Sequence, residues 1–219
     1  IALIAATMFF RRLRTSPSVD IVLSKEIPVS AGLGGGSSDA AAVLTGLNEL
    51  HGAPFSKEEL LEMATELGSD VPFFLVGGTA LAEGRGERVT PLPSLSKVLI
   101  LLINPGFAVP TARVYSCVNL DLTTPRRLHN ILPALSKGNL SAEKLSAAVH
   151  NDLQPVVLSL FPHIGNLLRW LEDSGAGCAA VSGSGGTVFG LFLDPDVAER
   201  AALAAMERFP WSCLVETAG

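Results

Sequence analysis

The sequence has no hydrophobic run long enough to cross a bilayer and no excess of basic residues. Its longest apolar stretches, residues 1–10 and 98–103, are far shorter than the roughly 20 residues that a membrane-spanning helix needs. Sixteen basic residues stand against 21 acidic ones, which gives a net charge of −5. This balance does not indicate a nucleic-acid partner. We therefore expect a chain that binds neither membranes nor nucleic acid.

Cysteine is also scarce, and its three copies, Cys117, Cys178 and Cys213, are widely spaced. An odd number at such spacing fits neither a disulfide framework nor a zinc site, and it favours a reducing compartment. The sequence begins at Ile1, and basic residues follow the apolar segment 1–10 instead of preceding it as they would in a secretory signal. We expect this segment to be a core helix that the given sequence enters midway.

Glycine is concentrated in one loop. Gly32, Gly34, Gly35 and Gly36 fall within five positions, and two serines, an aspartate and a run of alanines follow them. Such a backbone can come close to a ligand, and the residue types after it favour a helix start. Since a helix start presents unpaired N–H groups and the positive end of the helix dipole, the loop predicts a phosphate site. The alternative is a mobile loop before an ordinary core helix.

Three better-known motifs do not fit this loop. It does not end in the Gly-Lys-Ser/Thr of a Walker A motif. Ser37 stands where a dinucleotide fingerprint needs Gly or Ala. The Gly-x-Ser-x-Gly elbow of hydrolases is absent here and in a second glycine loop at residues 182–186. A less common phosphate-binding design remains.

Hydrophobic periodicity predicts alternating helices and strands. The predicted helices cover residues 1–14, 37–50, 57–67, 111–117, 126–136, 151–172 and 195–208, and the predicted strands cover 19–25, 79–83, 88–92, 97–103, 178–181, 187–193 and 212–216. A capping box at residues 56–59 opens the third helix. Prolines and serines predict a domain junction near residue 95, and the order of elements after it predicts an α+β sandwich with helices on one face.

Three ordered motifs resemble those of the GHMP small-molecule kinases. Residues 28–41 resemble the phosphate loop of that family, residues 67–73 the segment with its catalytic aspartate, and residues 182–190 its C-terminal glycine motif. The resemblance implies an α+β, two-domain GHMP kinase fold. Residues 1–95 would be the remainder of an N-terminal domain like ribosomal protein S5 domain 2, with the ATP phosphate loop, and residues 96–219 a ferredoxin-like C-terminal α/β sandwich.

The resemblance also implies ATP-dependent phosphoryl transfer to an alcohol. The triple glycine before Ser-Ser is most similar to members that phosphorylate a hydroxyl of a cytidine diphosphate derivative of a sugar alcohol, in isoprenoid precursor synthesis. Implied with this are ATP and Mg²⁺ as cofactors, a monomer or homodimer, and a bacterial cytoplasm or a plastid. The alternatives are another GHMP kinase substrate and a non-catalytic nucleotide-binding module.

Individual residues receive roles from the same resemblance. Asp70 would accept or orient the proton of the attacking hydroxyl, and its alternative role is to cap a short helix. Tyr115 would stack on the cytosine, or lie half-buried at the surface. The second glycine loop would contact the substrate or steady the first loop. The expected nucleotide-binding residues are Lys25, Gly32, Leu33, Gly34, Gly35, Gly36, Ser37 and Ser38, and the expected substrate-binding residues are Thr111, Tyr115, Gly183, Ser184 and Gly185.

One part of the family pattern has no counterpart in this sequence. The family carries an N-terminal strand whose lysine contacts the phosphates, and nothing in residues 1–27 resembles it. Lys25 follows a different predicted strand, and closing an edge strand is its alternative role. We expect the missing strand to precede Ile1, and we expect the 219-residue chain alone to turn over ATP weakly.

Overall fold

A computed structural model describes residues 1–94, 97–118 and 141–217. The chain separates into two compact units. Unit 1 comprises Ile1–Glu26 and Gly34–Leu92, and unit 2 comprises Ile27–Leu33 and Pro93–Gly219. The chain therefore passes from unit 2 to unit 1 inside the first glycine loop, between residues 33 and 34. Within the described ranges, no helix is long and apolar enough to span a membrane.

Unit 1 consists of helices followed by a hairpin. Its elements are α1 (Ala2–Leu13), α2 (Gly35–Leu50), α3 (Lys57–Leu67), α4 (Val71–Val76), β1 (Ala80–Glu83) and β2 (Arg88–Pro91), and the two strands pair antiparallel. The first three helices and the start of α4 bury a common core that includes Phe9, Leu44 and Met63. The capping box is confirmed, because Ser56 accepts a hydrogen bond from the Glu59 N–H and the Glu59 carboxylate accepts one from the Ser56 N–H.

The strand predicted at residues 19–25 is wrong, since residues 16–26 contain neither helix nor strand. Val22 is 95% exposed there. Alternating apolar residues produce a strand only where a neighbour supplies hydrogen bonds, and no strand of the described residues pairs with this segment. Helix α2 ends at Leu50 as predicted, and Leu50 itself is 75% exposed.

Unit 2 is built around an antiparallel sheet with the strand order β4-β5-β3-β6. Its elements are β3 (Leu99–Asn104), α5 (Thr111–Ser116), α6 (Ala142–Ala148), α7 (Gln154–Leu160), α8 (Ile164–Asp173), β4 (Cys178–Val181), β5 (Val188–Phe192), α9 (Pro195–Arg208) and β6 (Trp211–Glu216). Leu101 and Ile103 of β3 share one buried core with α8 and α9. The predicted α+β class is confirmed.

The helix predicted over residues 151–172 is two helices, α7 and α8, separated at Phe161 and Pro162. Proline disfavours helical backbone in the residue before it, and Phe161 accordingly has φ −135° and ψ 72°. The sequence analysis did not predict α6. The predicted helix at residues 126–136 lies outside the described residues.

Replacing glycine by alanine at two positions should change the stability in opposite directions. A methyl group at Gly46, inside α2, would meet nothing within 4 Å, whereas one at Gly190 of β5 would lie 3.0 Å from the Ala176 Cβ and 3.1 Å from the Leu171 Cδ2. We expect Gly46→Ala to stabilise the protein by roughly 0.5–1 kcal/mol through helix propensity. Gly190→Ala should destabilise it by about 1–3 kcal/mol through overpacking.

Urea unfolding of both variants beside the wild type measures this pair. A midpoint for Gly46→Ala below that of the wild type, at an unchanged slope, would contradict the first expectation. A midpoint for Gly190→Ala at or above that of the wild type would contradict the second.

Candidate functional site

Helix α2 begins directly at the first glycine loop. Gly34 is its N-cap residue, with φ 67°, and no side chain caps the helix start among the described residues. The Ser38 N–H donates to the Gly34 carbonyl at 2.9 Å, which is the first hydrogen bond of the helix. The N–H groups of Gly35, Gly36 and Ser37 precede that bond and have no carbonyl partner within the helix. They lie at the positive end of the helix dipole, which suits an anion.

Ser38 keeps acceptor capacity at this helix start. Its hydroxyl donates to the Gly35 carbonyl at 2.8 Å. A hydroxyl that donates its one proton still has lone pairs. The Ser38 oxygen can therefore still accept a hydrogen bond or coordinate a cation. No group of three or more His, Cys, Asp or Glu side chains that could hold a metal ion occurs in the described part of the chain.

Lys25 is held beside this helix by an ion pair. Its Nζ donates to the Asp39 Oδ2 at 2.5 Å. The two side chains are 32% and 20% exposed, so solvent screens the pair and its contribution to stability is at most about 1 kcal/mol. Positioning is the larger effect, since Lys25 lies in a segment without regular structure and α2 fixes Asp39.

Asp70 lies at the start of α4, in the same unit as α2. It occupies the N-cap position, yet its side chain makes no capping hydrogen bond, and it is exposed. Helix α4 packs against α2, and the Phe74 ring lies so close to Gly34 that an added Cβ would be 2.6 Å from it. This packing brings the helix that carries Asp70 to the start of α2.

The turn between β1 and β2 supports the residue before Asp70. Gly86 has φ 113°, and an added Cβ would lie 2.8 Å from the Ser69 carbonyl oxygen. Backbone N–H groups of Glu87 itself and of Arg85 lower the pKa of the Glu87 carboxyl. The Arg85 N–H donates to that carboxylate at 2.6 Å and so fixes the turn.

The first part of the glycine loop belongs to unit 2, where it lies against the second glycine loop. The Ser182 hydroxyl donates to the Gly32 carbonyl at 2.8 Å, and the Thr187 N–H donates to the Ala31 carbonyl at 3.1 Å. Gly32 has φ 75°, and an added Cβ would clash with the carbonyl oxygens of Ser182 and Gly185, the latter at 2.7 Å. The second loop therefore braces the first one, an option that the sequence analysis left open.

The expected substrate-binding residues of unit 2 are partly brought together. The hydroxyl oxygens of Thr111 and Ser184 lie 2.9 Å apart, so one donates to the other. Tyr115 lies one turn after Thr111 on α5, and it is 59% exposed. Asn104 is buried and donates to the Thr187 hydroxyl at 3.0 Å. The backbone N–H of the same threonine donates to the Ala31 carbonyl of the first loop.

Sequence reasoning missed several residues that shape these loops: Asp39, Phe74, Asn151, Ser182 and Thr187. Asp39 and Ser182 stand inside the glycine motifs themselves, which was a usable signal. Phe74 and Thr187 act through contacts between segments far apart in the sequence, for which no local pattern exists.

A substitution pair tests the packing of the first loop. Gly32→Ala places a methyl group between two backbone carbonyls at a positive φ, so we expect a loss of stability of about 1–3 kcal/mol. Gly36→Ala is the matched control, because its Cβ would meet only the Ile1 Cγ2 at 3.6 Å. Thermal unfolding of both variants measures the difference, and equal midpoints would show that Gly32 is not confined.

Two family profiles match the chain. The profile of the GHMP kinases N terminal domain matches residues 1–78, and that of the GHMP kinases C terminal matches residues 131–210. Among curated relatives, one from Geobacter sp. (strain M21) is 44% identical over 193 residues, which are 88% of this chain and 67% of the relative. One from Syntrophotalea carbinolica is 43% identical over 211 residues, 96% of this chain and 73% of the relative. Both are named 4-diphosphocytidyl-2-C-methyl-D-erythritol kinase.

Solved structures agree with these relatives. The crystal structure of a 4-(cytidine 5'-diphospho)-2C-methyl-D-erythritol kinase is 37% identical, with a TM-score of 0.81 over 100% of this chain and 78% of the other. A homoserine kinase from Cytophaga hutchinsonii, 20% identical, has a TM-score of 0.81 over 99% of this chain and 75% of the other, and it supports the fold alone. These similarities confirm the predicted two-domain α+β fold, and the chain belongs to the GHMP kinase family.

Proposed function

We propose that this protein transfers the γ-phosphoryl group of ATP to a hydroxyl of 4-diphosphocytidyl-2-C-methyl-D-erythritol, in the non-mevalonate synthesis of isoprenoid precursors. The observation that carries the proposal is the start of α2, where no side chain of the described residues caps the N–H groups of residues 35–37. The names of the two bacterial relatives and of the 37% identical solved kinase support the choice of substrate.

The first glycine loop holds the ATP phosphates in this proposal. Gly32, Leu33 and the residues from Gly34 to Ser38 present backbone N–H groups to them, and Lys25 adds a positive charge. The hydroxyl of Ser37 or Ser38 would help to hold Mg²⁺, which would neutralise charge on the phosphates.

Asp70 orients the nucleophile and takes its proton. The substrate hydroxyl oxygen forms a bond to the γ-phosphorus while the bond to the bridging oxygen breaks, and ADP leaves with that electron pair. The hydroxyl proton passes to the Asp70 carboxylate. The exposed side chain of Asp70, which makes no capping hydrogen bond, is compatible with this role.

Unit 2 supplies the cytidine contacts in this proposal. The exposed ring of Tyr115 stacks on the base, a contact worth roughly 1–3 kcal/mol. Thr111, Gly183, Ser184 and Gly185 contact the rest of the substrate, and the hydroxyl pair of Thr111 and Ser184 fixes the spacing of two of them.

We also propose the domain limits 1–95 and 96–219, and a monomer or homodimer as the working state. The bacterial cytoplasm is the proposed compartment, and a plastid is the alternative. The bacterial origin of both named relatives favours the first.

Asp70→Asn tests the proposed chemistry. The amide keeps the shape of the side chain but cannot accept the proton, so kcat of the natural protein with the cytidine substrate should fall roughly 10²- to 10⁴-fold. The Kd for ATP should stay within about twofold of the wild-type value, because Asp70 does not hold the phosphates. Coupled measurement of ADP release gives kcat, and calorimetry gives the Kd.

Asp20→Asn is the matched control, since Asp20 is an exposed aspartate of the same unit, in a segment without regular structure. It should leave both quantities unchanged. Turnover of Asp70→Asn at the wild-type rate would refute the role of Asp70, and a wild type that binds ATP without transferring phosphate to the cytidine substrate would refute the proposed reaction.

Lys25 and Asp39 should be energetically coupled in ATP binding. Lys25→Met removes a charge from the phosphates and leaves Asp39 uncompensated beside them, so the Kd for ATP should rise roughly tenfold or more. The double variant Lys25→Met/Asp39→Asn should regain part of that loss, because the repulsion is gone. The four ATP affinities form a double-mutant cycle, and additive effects would contradict the coupling.

A further inference from the structure

Asn151 is the polar centre of the second glycine loop. Its side-chain Nδ2 donates to the Val181 carbonyl at 2.8 Å and to the Gly183 carbonyl at 2.7 Å. Its Oδ1 accepts the Leu153 N–H at 2.9 Å. Both donors and the acceptor of one amide thus join the start of α7 to the end of β4 and to the loop after it.

A neighbouring residue completes the arrangement. The Gln154 Oε1 accepts the Val181 N–H at 2.9 Å. Val181 is therefore held at its N–H by Gln154 and at its carbonyl by Asn151. The residues on either side of Ser182, Val181 and Gly183, both have their carbonyl groups fixed by Asn151.

Ser182 connects this hydrogen-bond network to the first loop. Its hydroxyl donates to the Gly32 carbonyl at 2.8 Å. The carbonyl oxygens of Ser182 and Gly185 lie where a side chain on Gly32 would be. All of these residues belong to unit 2.

We infer that Asn151 is a positioning residue for ATP binding, which acts through Ser182 on the backbone of Gly32 and Leu33. The inference rests on the proposed function, in which these two residues contribute to the phosphate loop. Asn151 does not touch the nucleotide. It fixes the two carbonyls that flank Ser182, and Ser182 fixes the peptide from which the Leu33 N–H extends.

Asn151→Asp is the sharpest variant because it keeps the size and the acceptor of the side chain. The carboxylate has no donor and places negative charge against two carbonyl oxygens that now receive N–H bonds. With ATP bound, we expect faster hydrogen exchange at the Gly32 and Leu33 amides, which bond the phosphates in the proposed function, and an ATP Kd raised roughly tenfold or more. Lowering the pH restores one O–H donor, so the Kd relative to that of the wild type should recover on acidification.

Asn166→Asp is the matched control. Asn166 is exposed on α8, and its Oδ1 accepts a hydrogen bond from Arg169 at 2.6 Å, a role that a carboxylate keeps. It should change neither the exchange at residues 32 and 33 nor the Kd for ATP. Ser182→Ala is the second variant, should Asn151→Asp fail to fold. It removes the single bond to Gly32, and the Kd should rise roughly three- to tenfold.

The outcomes separate this inference from the proposed function. Two results with Asn151→Asp would overturn the inference: unchanged hydrogen exchange at residues 32 and 33, or faster exchange with an unchanged ATP Kd. If Asn151→Asp does not fold, the same two results with Ser182→Ala would overturn it. A pH dependence of the relative Kd that does not follow the introduced carboxyl would overturn it as well. A wild type that binds ATP but does not phosphorylate the cytidine substrate would refute the proposed substrate alone, since the readouts above need only ATP.

Discussion

The uncapped start of α2 is the constraint on which the rest of the site depends. A helix start leaves N–H groups without partners, and a side chain from a cap residue usually satisfies one of them. Here the cap residue is Gly34, which has no side chain to offer. An anionic ligand would satisfy these groups, and the packing of the Phe74 ring against Gly34 holds the helix start in place.

The glycines of the first loop make different close contacts in the two units. In unit 1, Gly34 lies against the Phe74 ring, so the helix that carries Asp70 packs on the helix start. In unit 2, Gly32 lies against the carbonyls of Ser182 and Gly185. The chain passes from one unit to the other between these two glycines. Close contacts thus explain why glycine stands at both positions.

Local signals made much of the fold predictable, and contacts distant in sequence explain most of the errors. The capping box at Ser56 and the start of α2 were readable because neighbouring residues determine them. The supposed strand at residues 19–25 depended on a partner that no local pattern reports. Pro162 was a local signal for the break between α7 and α8, but a single helix was predicted because the apolar periodicity continues past the proline. In the site, the glycine motifs and Asp70 were visible, but the bond from Ser182 to Gly32 spans 150 positions.

Charge explains how Asp39 is compatible with the proposed phosphate site. A carboxylate near the start of α2 repels phosphate, and an unpaired one would weaken the attraction of the helix dipole. The positive charge of Lys25 offsets the negative charge of Asp39, and the ion pair restricts the lysine rotamers before a ligand binds. The ammonium group has three donors, and Asp39 accepts a hydrogen bond from one of them. In the proposed site, Asp39 thus weakens the attraction for phosphate but holds Lys25 in position before ATP binds.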